Sequence, residues 1–158
     1  MPPDIEVLSS LVNQRRASSN EVCTWDQVYY YVSTNQIKMI HRSPKVQAEY
    51  DQWMKDTLAT YGTIEKYLLT NKLHFPPTKD DEHPAVIILP NDFPYSVESG
   101  IDHILIWSQV PLDPNYVEQI LEQRYGSENW EWVYWVNPPE IQSVRKLPHV
   151  HVFMRRRS

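Results

Sequence analysis

The chain is poor in glycine and almost without cysteine, with 3 Gly and 1 Cys in 158 residues. Scarce glycine argues against a loop that cradles phosphate, and neither GxGxxG nor GxxxxGK[ST] occurs. The lone Cys23 cannot close an intramolecular disulfide, which suits a reducing compartment. No run approaches the roughly 20 apolar residues of a membrane span. The opening MPPDIEVLSS has neither the basic nor the apolar region of a signal peptide. The formal net charge is −5, so there is no basic excess to hold nucleic acid or an acidic membrane surface. The basic run at 155–157 reads as a solvated tail. These absences predict a cytoplasmic protein whose partner is a small molecule. Nothing in the pattern bears on oligomeric state.

Proline, tryptophan and tyrosine are plentiful, at 13, 6 and 10 residues. With 41% hydrophobic and 22% charged residues the composition is globular, and the length predicts one domain over 1–158. The aromatics supply either a large core or the walls of a pocket.

Residues 1–78 read as helical. Ile5, Leu8, Leu11 and Val12 follow helical spacing, and TWDQ at 24–27 has the form of a capping box. From 43 to 62 a helix is framed by Ser43 as cap, Pro44 at its first position and Gly62 at its end. Its stripe of Val46, Tyr50, Trp53, Met54, Leu58 and Tyr61 is expected to be core. A shorter helix over TIEKYLL follows, then a loop rich in proline and charge at 74–84. Beyond it the periodicity changes. AVIIL, HILIWS, WEWVYWV and HVHVFMR are β-branched or aromatic runs bounded by turn residues, and DPNYVEQILEQRYG is a capped helix between the second and third. Helices followed by β-β-α-β-β over 85–157 predict an α+β fold with a mainly antiparallel sheet.

The chemistry concentrates in KLPHVHVFMRRR at 146–157. Alternation along a strand puts His149, His151, Phe153 and Arg155 on one face. Asn137, Gln142 and Ser143 stand in the segment leading into this strand, and His103 begins another. Donors gathered near an imidazole pair suit a group that becomes negative during reaction. Candidate catalytic residues are therefore His149, His151, His103, Gln142 and Ser143. His103, His149 and His151 could also supply three metal ligands, but no acidic or cysteine partner stands at a fixed spacing. No metal or cofactor is expected.

NPPEIQSVRKLPHVHVFMR resembles the end of a histidine-triad (HIT) domain, where an Asn and Gln-Ser-Val precede alternating histidines. PYSVESGIDHILIW is similar to that family's Pro-Tyr and Pro-Gly-His segments. The resemblance implies N-terminal helices packed on a HIT-like sheet, and His chemistry on a phosphate ester or nucleotide-like substrate. It also implies Asn137, Tyr95, Trp107, Phe153 and Arg155 as substrate-binding residues. The strand departs from the triad in having two histidines. In one alignment His151 takes the nucleophile's place and Phe153 replaces the third histidine; in the other His149 is the nucleophile. Such a site could serve acid–base work instead, which leaves open a cofactor-free cyclase, isomerase or hydrolase of fungal specialised metabolism, or a non-catalytic binding or regulatory protein. The segments TWDQVYYYVSTNQIKMIHRSPKVQAEYDQW, NDFPYSVESGIDHILIWSQ and VNPPEIQSVRKLPHVHVF are similar to a fungal family of N-acetylglucosamine-induced proteins, which implies no particular chemistry.

Overall fold

The computed structural model describes residues 21–158. The helix expected over residues 5–12 lies outside them. Three helices come first: α1 (Trp25–Ser33), α2 (Pro44–Tyr61) and α3 (Ile64–Asn71). Strands β1 (Val86–Pro90) and β2 (Asp102–Ser108), helix α4 (Pro114–Arg124), and strands β3 (Trp130–Trp135) and β4 (His149–Arg156) follow. The fold is α+β, as the change of period predicts.

Local chemistry sets the helix starts. Thr24 accepts from the Gln27 amide while the Gln27 side chain returns to the Thr24 amide, closing the capping box. Ser43 and Thr63 accept from Val46 and Lys66, and Asp113 accepts from Asn115. At the end of α2, Gly62 adopts φ 84°, the left-handed conformation that lets its N–H reach the Leu58 carbonyl.

The four strands lie in the order β1-β2-β4-β3, every pair antiparallel. Register fixes two unlike faces. On one, Ile104 opposes Val152 and Ile106 opposes Val150, and Val117 and Leu121 of α4 close over them. On the other, His103 opposes Phe153, Leu105 opposes His151 and Trp107 opposes His149. Trp135 of β3 opposes His151 from the far side.

This second face is covered at its two ends. Trp25 and Val28 of α1 pack with Trp135 and Phe153 at one end. Ile64 and Leu68 of α3 pack with Trp107, Val144 and Leu147 at the other. The α2 helix packs on α3 and stands off the strands. The expected core stripe of α2 holds only in part: Trp53 and Met54 pack against the Trp107 cluster while also facing a cleft with Tyr50, Thr57 is the buried residue of the helix, and Leu58 is 43% exposed. Spacing located the stripe correctly, but a helix that bridges a gap presents it to the gap. No helix among the described residues is long and apolar enough to cross a membrane.

Candidate functional site

Between the end covers, the cleft encloses about 1240 Å³, with α2 and α3 on one side and the sheet's histidine face on the other. His149 and His151 line it, with Leu105, Trp107 and Asn137.

His149 opens β4 just after Pro148. Its Nδ1 lies 2.9 Å from the Leu147 carbonyl oxygen. A carbonyl only accepts, so Nδ1 carries the proton, and in the neutral ring Nε2 keeps a bare lone pair. The ring packs on Trp107, with centroids 4.5 Å apart. Burial pushes its pKa below the usual histidine value, opposed by the Leu147 contact. His149 is a neutral base at pH 7.

His151 has both nitrogens engaged. Nδ1 is 3.0 Å from His103 Nε2, and Nε2 is 3.1 Å from Asn137 Nδ2. Its ring lies nearly parallel to Trp135 at 5.0 Å and to Tyr95 at 5.7 Å. Burial, then the positive charge that His103, His149 and Arg42 would bring, hold its pKa well below the usual value. His103 sits behind it, outside the cleft lining, with its pKa lowered to about 3 mainly by burial.

The remaining sequence-derived candidates divide. Asn137 is buried, its Oδ1 accepting the Trp135 indole N–H at 2.7 Å. Gln142 lines the cleft and donates to the Asn137 carbonyl at 2.6 Å, bracing that residue. Ser143 is exposed and lines the cleft. Tyr95 and Trp107 line the cleft. Phe153 is fully buried against Trp135 and His103 and does not reach it. Arg155 lies away from the cleft, over the Trp25 ring and 3.5 Å from Glu131.

Sequence reasoning passed over His41, Arg42, Tyr50 and Trp53 as site residues. Arg42 Nε donates to the Phe93 carbonyl at 2.7 Å, and its guanidinium lies 4.0 Å from the Tyr50 ring centroid and 5.0 Å from that of Tyr95. A cation pinned in this way at a cleft wall holds positive potential there. The signal was an arginine directly ahead of a helix cap whose apolar stripe ends in Tyr and Trp. Among the described residues no group of His, Cys, Asp and Glu is placed to hold a metal ion. The cleft thus joins a neutral imidazole with a bare nitrogen, an aromatic wall and a fixed cation, the parts a proton-transfer site requires.

Residues 24–155 match the model of DUF3605, a protein family of unknown function, and the chain belongs to that family. It is 26% identical to N-acetylglucosamine-induced protein 1 of Candida albicans, over 84% of this chain and 68% of that protein. It is 24% identical to the uncharacterized protein YPL067C of Saccharomyces cerevisiae, over 82% of this chain and 77% of that one. The crystal structure of HTC1 is similar in fold, with a TM-score of 0.64, 22% identity, and coverage of 84% of this chain and 85% of that one.

Proposed function

We propose that this DUF3605 protein is a small-molecule enzyme in which His149 acts as a general base. One observation carries the reading. The 2.9 Å contact from His149 Nδ1 to the Leu147 carbonyl leaves Nε2 as an unprotonated acceptor in a ring that lines the cleft. Tyr50, Trp53 and Trp107 suit the apolar or aromatic body of a substrate, and Arg42 suits an acidic group on it. The chemistry is proton removal and return, of the kind that isomerases and cyclases perform without a cofactor.

Deuterium wash-in tests this even while the substrate is unidentified. The full chain is incubated in D2O with a deproteinised small-molecule extract, and incorporation is read by mass spectrometry. The wild type labels at least one compound, and His149→Ala lowers that labelling by about 10²–10⁴-fold, the usual worth of a general base. Equal labelling by the variant, or none by the wild type, contradicts the assignment.

A second reading draws on Gln142 and Ser143, which line the same cleft as the two histidines and would suit nucleophilic attack on a phosphate ester. An acid-labile phosphoramidate on His149 after incubation with a nucleotide ester would favour it over proton transfer.

A further inference from the structure

The hydrogen bonds below the cleft floor meet in a conflict whose resolution defines a ligand. At one end, the Tyr95 backbone N–H points at His103 Nδ1, 3.3 Å away. A backbone amide only donates, so Nδ1 accepts, and the neutral ring carries its proton on Nε2. That proton faces His151 Nδ1 at 3.0 Å, which therefore accepts. Neutral His151 must then be protonated on Nε2.

At the other end, the Trp135 indole N–H also only donates, and at 2.7 Å it requires Asn137 Oδ1 opposite it. The Asn137 amide nitrogen is thereby turned toward His151 Nε2, 3.1 Å away. The Tyr95 amide and the Trp135 indole can only donate, and the two hydrogen-bond chains they start meet as a pair of donors. Both groups are almost fully buried and both line the cleft, with 4% of His151 and 5% of Asn137 exposed. Tyr95 Oη, 3.4 Å from Asn137 Nδ2, takes one of that nitrogen's two N–H groups. The other faces the His151 N–H, a pairing of buried donors that is costly unless the two turn to an acceptor beside them.

We infer that the His151 Nε2–H and an Asn137 Nδ2–H form a two-donor site for one substrate oxygen. This rests on the reading of His149 as base and names its substrate class: a carbonyl compound with an acidic hydrogen on the adjacent carbon. The rings of His149 and His151 are 5.4 Å apart, so one small molecule touches both. His149 Nε2 takes the proton from that carbon. The C–H pair becomes the C=C π bond, the C=O π pair moves onto oxygen, and the oxygen accepts the two N–H bonds as an enolate. Return of the proton from His149 to the same or a conjugated carbon restores a neutral carbonyl compound. Donors fixed before charge develops stabilise it without reorganising, and Arg42 adds positive potential from the wall. The step needs no oxidant and no cofactor.

The probe is 4-nitrophenol, whose phenolate oxygen mimics the enolate and absorbs visibly. Bound to the full wild-type chain, it ionises at a pH at least about one unit below its value in free solution, a tenfold preference for the anion. Asn137→Leu abolishes that preference. Long-range 1H–15N spectra of the unliganded protein show His151 protonated on Nε2. A His151 protonated on Nδ1 overturns the inference, because Asn137 then donates to His151 Nε2 and no donor pair remains at the cleft. Binding without preference for the anion, or no binding, overturns it too. Failure of deuterium wash-in with the phenolate preference intact removes His149 as the base and leaves the donor pair standing.

Discussion

The two faces of one sheet have been put to opposite uses. Val150, Val152 and Met154 point from β4 into a layer with an aliphatic centre, edged by Trp130, Trp132 and Tyr134, that α4 closes. One residue out of step along the same strand, His149 and His151 point into a face whose covering helices meet it only at its ends. The first face gains stability by excluding water from closely packed apolar side chains. The second leaves space and fills its margins with rings and nitrogens, whose hydrogen bonds are directional. Because β4 alternates strictly, each face can change without the other.

The contrast is broken most severely from the aliphatic side. Leu121 is fully buried beneath the sheet, so Leu121→Ala is expected to cost about 2–5 kcal/mol in urea unfolding. The fraction that remains folded keeps its affinity for nitrophenolate, since the cleft lies across the sheet. An equal loss of affinity would mean that the two faces are not independent.

Acid attacks the other face. His103 and His151 are held neutral, with pKa values below 6.5. As pH falls, the unfolded chain binds protons first, so their stabilising contribution is full above about 6.5. It is lost progressively below that value, toward the region near 3 where His103 is protonated in the fold. Each such group gives a slope of about 1.4 kcal/mol per pH unit, so stability drops by about 2–3 kcal/mol between about pH 7.5 and about pH 5.5. Urea titrations at the two pH values check this; a flat response would show the histidines solvated.

Smaller effects come from the frame. Thr24→Ala opens the capping box of α1 and should cost about 1 kcal/mol, leaving nitrophenolate binding unchanged. His149→Gln should alter unfolding free energy by less than about 1 kcal/mol, because the residue is only partly buried at the start of its strand. A larger loss would make His149 a structural residue.

Much of this architecture was legible in the residues themselves. Trp130, Trp132 and Tyr134 alternate with Val133 and Trp135, and the structure packs the two sets into different clusters. Thr24, Ser43 and Asp113 marked helix starts because their side chains satisfy amides that the helix leaves bare. The spacing of His149 and His151 placed both on one face, since strand period is a local property. Less visible was that α2 would stand off the sheet, which depends on how α3 meets Trp107 and Leu147 far along the chain. Arg42, next to the Ser43 cap in sequence, is a cleft cation through the Phe93 carbonyl and two tyrosine rings. The division of labour between His149 and His151 was hidden for a similar reason. It turns on one backbone carbonyl, Leu147, and on His103 brought in from β2, neither of which an alternating pattern encodes.

The central claim is that His149 presents a bare Nε2 to the cleft, and the ring nitrogens of the full chain report on it directly. Long-range 1H–15N spectra should show His149 Nδ1 protonated and Nε2 with the shift of an unprotonated nitrogen at neutral pH. On acidification the ring should take up its proton below the usual histidine value of 6.5, the direction that burial imposes. A His149 protonated on Nε2 at neutral pH, or one that titrates above 6.5, would contradict the account.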